Sequence, residues 1–435
     1  MMDYSQTTDF LFSRLPMYSR IGAQAYKNDL TNIRILCGIL GNPEKKIRSV
    51  HIAGTNGKGS TSHMLAAILQ RSGYKTGLYT SPHLYDFRER IRVNGQMVPE
   101  SFVTRFTERL IPAIESIQPS FFEITVAMAF DWFVEQKVDI AVIEVGLGGR
   151  LDSTNIILPE LSVITNISYD HMDLLGDNLQ KIAYEKAGII KSAIPVIIGE
   201  EQAEVKEVFI QVAAHNQAPI SFASAKRYVA DWKFNRHLLE LEITNKHSNE
   251  KEKYSLDLPG IYQTKNIVTV SEVVSVLNQR GFDIPESAVH AGLQNVKKFT
   301  GLHGRWDILH DDPLLVLDVA HNEEGMKEIA KQIELTSHEE LHLVVGMVKD
   351  KVIENILRHL PSGANYYFTK AHIPRALHET ELAARAERIG LKGKAYPEVR
   401  QALQAAVDRA NAKDLILVCG SVFLAGEVNI REIVF

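Results

Sequence analysis

Short apolar segments alternate with longer stretches of helical spacing through much of this 435-residue chain. Segments that are apolar on both faces and separated by helices are typical of parallel strands covered by helices. The pattern therefore predicts an α/β fold with a mainly parallel sheet. In the first part of the chain the apolar runs lie at 47–53, 78–80, 139–145, 161–167 and 195–198.

The pattern changes between about residues 226 and 258, where polar and apolar residues alternate one by one. This period of two is clear in His237–Ile243 and in Tyr254–Leu258, and it predicts a small antiparallel β segment. After this segment the strand and helix alternation returns, which predicts a second α/β unit. Its apolar runs lie at 314–318, 341–346, 366–369 and 415–419.

A short basic stretch that contains two glycines separates the two α/β series at residues 297–304. Glycines between periodic segments are typical of connecting loops, so we expect the domain boundary there. The division predicts an N-terminal domain at 1–296, which includes the antiparallel segment. It also predicts a 297–304 linker and a C-terminal domain at 305–435.

A glycine-rich loop joins the first apolar strand to the helix that follows it. Glycine lets the backbone come close to an anion, and the amides of a helix's first turn attract phosphate oxygens. A lysine in the loop adds a positive charge, so we expect a triphosphate site here rather than a structural turn. The loop residues are Gly54, Thr55, Asn56, Gly57, Lys58, Gly59 and Ser60.

This loop departs from the usual phosphate-binding motif, because Gly59 follows Lys58 where that motif has serine or threonine. The hydroxyl for magnesium then has to come from another strand end. Ser81 follows the 78–80 run and is a candidate, although a Ser-Pro pair is also an ordinary turn signal. Glu144 lies near the end of the 139–145 run, and its carboxylate is either a magnesium ligand or a surface charge.

Polar residues also follow later strands. His171 is a candidate metal ligand or base, or only a hydrogen-bonded loop residue. Asp318 ends the run at 314–318, and His321 and Asn322 follow it. Asn322 is alternatively the N-cap of the next helix. Because the carboxyl ends of parallel strands meet at one sheet edge, the joint placement of these groups predicts an active-site cleft.

Composition narrows the class of protein. Charge is balanced, with 48 Lys and Arg, 53 Asp and Glu and a net charge of −5, so we expect no nucleic-acid or membrane partner. Cys37 and Cys419 lie far apart and are expected to be core residues of a reducing compartment. We find no signal peptide and no apolar run of about 18 residues, so we expect a cytoplasmic protein.

The motifs occur in an order that resembles the folylpolyglutamate synthase/dihydrofolate synthase family of Mur ligases. The resemblance extends from about residue 10 to the C-terminus and is far more specific than the glycine loop alone. The motifs are Gly54–Ser60, Thr80–His83, Phe122–Thr125, Glu144–Asp152, Asp170–His171, Glu185–Gly188, Gln263 with Asn266, Gly304–Arg305 and Asp318–Asn322.

The resemblance implies a ligase with an N-terminal P-loop ATPase domain of the Mur type and a C-terminal Rossmann-like glutamate-ligase domain. Such an enzyme joins L-glutamate to the γ-carboxylate of a folate, or to dihydropteroate, after ATP has phosphorylated the carboxylate. ATP and two magnesium sites are implied as cofactors, with a monovalent cation as a further candidate. The family is typically monomeric.

The resemblance also implies roles for single residues. Ser81 and Glu144 match the ligands of one magnesium ion, and His171 matches a ligand of a second. Lys186 matches the lysine that becomes a carbamate, which turns a cation into an anionic oxygen donor. A solvated helix lysine is the alternative.

Other matches concern the nucleotide and the amino acid. Asn266 and Arg305 match nucleotide contacts, and Asp318 and His321 match a catalytic pair that acts with Lys58 and Lys186. Ser421, with His321, is a candidate for the glutamate site.

Two positions depart from the family pattern, since Val319 stands where glycine is usual and Tyr262 where histidine is common. Two other functions stay open at this point. One is a Mur-type amide ligase that acts on a different carboxylate, and the other is a P-loop kinase of small molecules.

Overall fold

A computed structural model describes residues 2–17, 22, 29–349 and 352–435. The chain forms two compact units, and each unit is built from several chain segments. None of the helices in these ranges is long and apolar enough to span a membrane. Unit 1 comprises Met1–Lys233, Leu238–Asp257 and Gln263–Leu302, and unit 2 comprises Phe234–His237, Leu258–Tyr262 and His303–Phe435.

Unit 1 is organised around an eight-stranded sheet. Its strands are β1 (Ser49–Ala53), β2 (Thr76–Tyr79), β3 (Ile91–Val93), β4 (Gln96–Met97), β5 (Ile140–Glu144), β6 (Leu161–Ile164), β7 (Val196–Ile198) and β8 (Ile220–Phe222). Their order is β4-β3-β2-β5-β1-β6-β7-β8. The six strands from β2 to β8 in this order are parallel, as predicted, and β3 and β4 add an antiparallel edge.

Each predicted run overlaps a strand of this sheet, but several strands are shorter than their runs, and β3, β4 and β8 were not predicted. The run at 161–167 was expected to be one strand, yet β6 ends at Ile164. The reason is that the next residues turn toward the glycine loop, where the Asn166 carbonyl accepts a hydrogen bond from the Thr55 amide at 2.9 Å. The segment 165–167, which was expected to extend β6, therefore contacts the glycine loop of the candidate site instead.

Helices cover this sheet and bury two apolar cores. Phe106 and Phe130 belong to one core, and Ile182 and Phe209 belong to the other. The helices are α1 (Tyr4–Arg14), α2 (Thr31–Ile39), α3 (Lys58–Arg71), α4 (Glu100–Ile117), α5 (Phe121–Glu135), α6 (Met172–Leu175), α7 (Leu179–Ala187), α8 (Lys206–His215), α9 (Ala223–Lys226), α10 (Gln263–Gln279), α11 (Glu286–Leu293) and α12 (Val296–Thr300).

The predicted antiparallel segment is a three-stranded sheet of β9 (Arg227–Phe234), β10 (Leu239–Asn245) and β11 (Lys251–Leu256), in the order β11-β10-β9. The sequence pattern placed His237 and Leu238 in a strand, and this detail is wrong. The Asn235 side chain accepts a hydrogen bond from the His237 amide at 2.9 Å, which forms a turn before β10.

Unit 2 contains a six-stranded sheet and its own apolar core, as the second α/β series predicted. The strands are β12 (Asp307–Asp311), β13 (Leu314–Leu317), β14 (Leu341–Val345), β15 (Asn365–Phe368), β16 (Gly393–Ala395) and β17 (Leu415–Cys419), in the order β12-β13-β17-β14-β15-β16. All neighbours are parallel except β12 and β13.

The helices of unit 2 are α13 (Glu323–Leu335), α14 (Ile353–Leu357), α15 (Glu379–Glu387), α16 (Val399–Val407) and α17 (Val422–Gly426). The stretch expected as a linker, 297–304, contains most of α12, and unit 2 resumes at His303. Cys37 and Cys419 are both buried and unpaired, as expected of core residues.

Candidate active site

The glycine loop runs from the end of β1 to the start of α3. Gly54 and Gly57 have φ values of +145° and +83°, which only glycine adopts easily. A Cβ atom on Gly57 would lie 2.2 Å from Oδ1 of Asn266, so the loop backbone also packs tightly against α10. Gly57 is the N-cap of α3 and has no side chain to cap the first-turn amides, a geometry suited to binding an anion.

The residues that follow β6 hold this loop in place. The Asn56 amide donates to the Asn166 side chain at 3.0 Å, and the Ser168 amide donates to the Thr55 hydroxyl at 3.0 Å. The loop conformation is therefore set by hydrogen bonds within the protein. Preorganisation of this kind lowers the cost of binding a ligand.

Two lysines reach the inner side of the loop. Lys58 donates to the carbonyls of Gly54 and Thr55, both at 3.0 Å. Lys186, which is 4% exposed, donates to the same Gly54 carbonyl at 2.9 Å. Burial, and secondly the charge of Lys58, lower the pKa of Lys186 to about 7. The solvated-lysine alternative for Lys186 is therefore wrong.

A buried glutamine links α10 to the loop. Gln263 donates from Nε2 to the Ser60 hydroxyl at 3.2 Å and accepts from Nδ2 of Asn266 at 2.7 Å. Asn266 in turn lies against Gly57. Asn266 was expected in the site from the family resemblance, whereas no role was predicted for Gln263, because a glutamine at a helix start carries no signal of its own.

The candidate metal ligands follow β2, β5 and β6. Ser81 and Glu144 are close together, since the Ser81 amide lies 3.3 Å from Oε2 of Glu144, which is buried. His171 has a φ of +49° and precedes α6, and its amide donates to the Asp170 carboxylate at 2.8 Å. The described part of the chain has no group of three or more His, Cys, Asp or Glu residues placed to hold a metal ion.

The glycine-rich run after β5 packs against the end of α7. A Cβ atom on Gly149 would lie 2.8 Å from the Glu185 carbonyl and 2.9 Å from the Lys186 carbonyl. Asp152 closes the loop by accepting from the Leu147 amide at 2.8 Å. The run therefore lies beside the backbone of the buried lysine.

A buried arginine, Arg90, lies against an aromatic ring near the end of β2. The guanidinium of Arg90 lies 5.3 Å from the ring centre of Phe121, and its Nε donates to Nδ1 of His83 at 2.7 Å. Burial, and then the charge of Arg90, lower the pKa of His83 to about 3, so the imidazole is neutral. Phe122 lies against Gly146, where a Cβ atom would be 2.4 Å from the ring. No role was predicted for Arg90 from the sequence.

In unit 2 the polar residues follow β13 and β17 as predicted. Asp318 is buried, which raises the pKa of its carboxyl group, while hydrogen bonds and the charge of Arg305 act in the opposite direction. Nδ1 of His321 lies 2.9 Å from the Val319 carbonyl, so this nitrogen carries a proton. Asn322 caps α13 by accepting from the Gly325 amide at 2.9 Å, which was the structural alternative for this residue.

Arg305 and Ser421 complete the predicted set. Arg305 donates to the Gly304 carbonyl at 3.1 Å. Ser421 is buried and caps α17, where its hydroxyl accepts from the Phe423 amide at 3.1 Å. Each therefore has a local structural contact in addition to any ligand.

Comparison with known proteins identifies the architecture. The Mur ligase middle domain matches residues 52–274, and the Mur ligase glutamate ligase domain matches residues 304–422. A dihydrofolate synthase/folylpolyglutamate synthase from Bacillus subtilis is 32% identical over 419 residues, which cover 93% of this chain and 95% of the relative.

Solved structures agree with this match. Escherichia coli FolC in complex with DHPP and ADP has a TM-score of 0.82 at 31% identity, over 98% of this chain and 97% of that one. A bifunctional folylpolyglutamate synthase/dihydrofolate synthase from Yersinia pestis, complexed with AMPPNP and a Mn ion, has a TM-score of 0.82 at 27% identity, over 98% of both chains. The chain therefore belongs to the folylpolyglutamate synthase/dihydrofolate synthase family of Mur ligases.

Proposed function

We propose that this protein is an ATP-dependent ligase that joins L-glutamate to the γ-carboxylate of a reduced folate, and to dihydropteroate as a second substrate. The observation that carries the proposal is the glycine loop at the start of α3, with Lys58 and the buried Lys186 converging on Gly54. The ligands of the solved relatives, which include ADP, AMPPNP and DHPP, support the same chemistry.

The reaction requires activation of the carboxylate. A carboxylate is a poor electrophile at neutral pH, because attack would place a second negative charge on its oxygens. Transfer of the γ-phosphoryl group of ATP gives an acyl phosphate and ADP. The glutamate amine then attacks the acyl carbon, and the tetrahedral intermediate expels phosphate to leave the amide. The protein acts mainly by positioning the reactants and by stabilising negative charge on phosphate oxygens.

We assign the phosphate-binding role to residues 54–60. The first-turn amides of α3 face the phosphates, and Lys58 supplies a full positive charge there. Asn266 and Gln263 support the loop through their contacts with Gly57 and Ser60. This assignment explains why the loop is fixed in advance by hydrogen bonds from the residues after β6.

The residues near the ends of β2 and β5 fit a magnesium ion. The Glu144 carboxylate and the Ser81 hydroxyl are hard oxygen donors, and the 3.3 Å contact shows that these two residues are neighbours. We propose that they hold one magnesium ion, which when bound neutralises charge on the phosphate oxygens. His171 is the candidate ligand for a second ion, and a monovalent cation is a further candidate cofactor.

We also propose that Lys186 is carbamylated. A lysine must be neutral to attack carbon dioxide, and a pKa of about 7 makes the neutral amine available near neutral pH. The amine nitrogen forms the bond to carbon, and the proton that it loses goes to solvent. The product is an anionic oxygen donor in place of a buried cation.

In unit 2 we assign Arg305 to the nucleotide and Asp318 with His321 to catalysis. Ser421, together with His321, is our candidate for the glutamate site. For the folate we favour the aromatic region formed by Phe121, Phe122 and their neighbours, since flat heteroaromatic rings stack on aromatic side chains. We further propose a monomer that works in the cytoplasm, in line with its two buried, unpaired cysteines.

One assay tests the function directly. Purified protein is incubated with ATP, magnesium and labelled glutamate, and the acceptor is varied between dihydropteroate and tetrahydrofolates. We expect labelled product and phosphate release only when both an acceptor and glutamate are present. Phosphate transfer that does not require glutamate would indicate a kinase. If neither dihydropteroate nor a tetrahydrofolate gave labelled product, the folate assignment would be contradicted.

A further inference from the structure

The carboxylate of Asp318 is held by three hydrogen-bond donors in unit 2. The Tyr262 hydroxyl donates to Oδ2 at 2.6 Å, and the Trp306 amide donates to the same oxygen at 2.7 Å. The Ala320 amide donates to Oδ1 at 2.9 Å. Two of these donors are backbone groups near Asp318 in the sequence, whereas Tyr262 comes from the separate segment Leu258–Tyr262.

The count of donors on each oxygen defines which part of the carboxylate remains available. Each carboxylate oxygen has about two acceptor positions. The two donors at Oδ2 fill both positions there, while the Ala320 amide fills one position at Oδ1. One acceptor position is therefore left, on Oδ1, for a hydroxyl or amine donor of a substrate.

Tyr262 is itself firmly placed. The preceding residue, Ile261, donates from its amide to the side chain of Gln332 at 2.6 Å, and Gln332 is fully buried on α13. The ring of Tyr262 packs against the core of unit 2. Gly260 leaves room for this ring, because a Cβ atom there would lie 2.7 Å from it. The hydroxyl thus approaches Asp318 from a fixed direction.

The three donors around Asp318 suit a carboxylate, which accepts hydrogen bonds at both oxygens. Burial raises the pKa of its carboxyl group above the ordinary value, and the hydrogen bond from Tyr262 is first among the interactions that oppose this rise. The other charged or titratable groups nearby are Arg305, Asp307 and the buried Cys419. Loss of water around the hydroxyl and the Asp318 charge raise the pKa of Tyr262 well above its ordinary value, so the hydroxyl remains a donor.

We propose that Tyr262 is a positioning residue of the ligase, whose hydroxyl orients the Asp318 carboxylate so that Oδ1 accepts a hydrogen bond from a substrate. The inference rests on the proposed function and deepens it. It also gives a role to a position at which this chain departs from the family pattern. The substrate donor is either a ribose hydroxyl of the nucleotide or the amine of glutamate.

The test compares Tyr262→Phe with Tyr366→Phe. Tyr366 also lies in the core of unit 2 and loses one hydrogen bond, to the Pro361 carbonyl at 2.7 Å, without contacting Asp318. We expect Tyr262→Phe to fold and to lower kcat/KM by about tenfold or more, as for the loss of a hydrogen bond to a charged group. Tyr366→Phe should keep wild-type kinetics.

The pH profile separates positioning from simple packing. Removing a hydrogen bond to the ionised carboxylate raises the pKa of Asp318, so the acid limb of the kcat/KM profile should move to higher pH in Tyr262→Phe only. A rise in KM for ATP would identify the ribose hydroxyl as the partner of Oδ1. A rise in KM for glutamate would identify the amine.

A second variant, Gly260→Ala, keeps the inference testable if Tyr262→Phe folds poorly. Gly260→Ala places a Cβ atom against the Tyr262 ring and should displace the hydroxyl without deleting it, whereas Gly363→Ala meets no atom within 4 Å and serves as its control. Active wild-type protein with unchanged kinetics and pH profile in both Tyr262→Phe and Gly260→Ala would overturn the inference. Inactive wild-type protein would instead contradict the proposed function, and in that case unchanged binding of both ATP and glutamate in both variants, measured by calorimetry, would overturn the inference as well.

Discussion

The ammonium groups of Lys58 and Lys186 share one acceptor, the carbonyl oxygen of Gly54, at 3.0 and 2.9 Å. Two positive charges at one oxygen repel each other, and the buried one is the costlier to keep. Burial, and secondly the charge of Lys58, lower the pKa of Lys186 to about 7. The loop that we assign to phosphate binding therefore carries the side chain of Lys58, and Lys186 on α7 adds an amine that loses its charge easily.

Replacing Lys58 by alanine should lower kcat by about 100-fold or more, because the γ-phosphoryl group would lose a charged contact as its negative charge shifts. Steady-state phosphate release with saturating acceptor and glutamate measures the effect. Lys181→Ala is the control, since Lys181 is exposed and its ammonium pairs with Asp177 at 3.0 Å, away from the glycine loop's hydrogen bonds. Near-normal turnover in Lys58→Ala would contradict the phosphate assignment.

Gly57→Ala should raise the KM for ATP in addition to lowering the melting temperature. The added Cβ would lie 2.2 Å from Oδ1 of Asn266 and would displace the loop from α10. Gly73→Ala is a matched control, because Gly73 also has a positive φ, +89°, but has no atom within 4 Å of its Cβ position. Both variants should lose about 1 kcal/mol through backbone strain. An unchanged KM for ATP in Gly57→Ala would show that the Asn266 contact does not shape the nucleotide site.

Gln263→Leu should weaken ATP binding and destabilise unit 1 by about 1–3 kcal/mol, since it leaves buried groups of Ser60 and Asn266 without their partner. Calorimetric titration with ATP and chemical denaturation measure the two effects. Asn278→Leu breaks hydrogen bonds to Ile284 at the far end of the same helix and should affect stability alone. Equal ATP affinity in both variants would remove Gln263 from the site.

The stability of Lys186→Met should differ from that of the wild type in a pH-dependent way. Lys186 has a lowered pKa of about 7 in the folded protein, against 10.5 as its ordinary value. Between these values the unfolded chain binds a proton that the folded protein does not, so wild-type stability rises with pH, by up to about 1.4 kcal/mol per unit. The advantage of Lys186→Met at pH 7 should therefore shrink toward pH 10.5.

This comparison requires chemical denaturation at several pH values in buffer free of bicarbonate, so that carbamylation does not contribute. Parallel stability curves for the two proteins would show that Lys186 titrates normally. A separate measurement with isotope-labelled bicarbonate and NMR detection tests for the carbamate itself. A carbamate signal that persists in Lys186→Met would assign the modification to another residue.

The sequence predicted those parts of the fold in which burial determines the residue type. Strands such as β5 and β17 are apolar on both faces because helices cover both sides of the sheet, and this pattern needs no tertiary knowledge. The end of β6 was not predictable in the same way. Residues after Ile164 are still apolar or neutral, and only their hydrogen bonds to Thr55 and Asn56 show why they leave the sheet.

The candidate site was predictable where it follows strand ends. Strand ends marked Ser81 and Glu144 as separate candidates, and the family resemblance implied that the two act together. They are neighbours in the structure. Arg90 was not predictable, since a charged residue in a short helical turn is usually solvated. Arg90 is nevertheless only 8% exposed, and its guanidinium lies against the Phe121 ring of α5.

The interleaved course of the chain limits how the protein can be divided. A fragment that begins at His303 would contain the whole unit 2 sheet but would lack Leu258–Tyr262. Asp318 would then lose its tyrosine partner, and Gln332 would lose the amide of Ile261. A chimera of two relatives joined at a single crossover near His303 would take Leu258–Tyr262 from one parent and the rest of the unit 2 sheet from the other. Unit 2 is thus encoded by separate segments of the sequence, and substitutions in one segment have to stay compatible with the residues that it contacts in another.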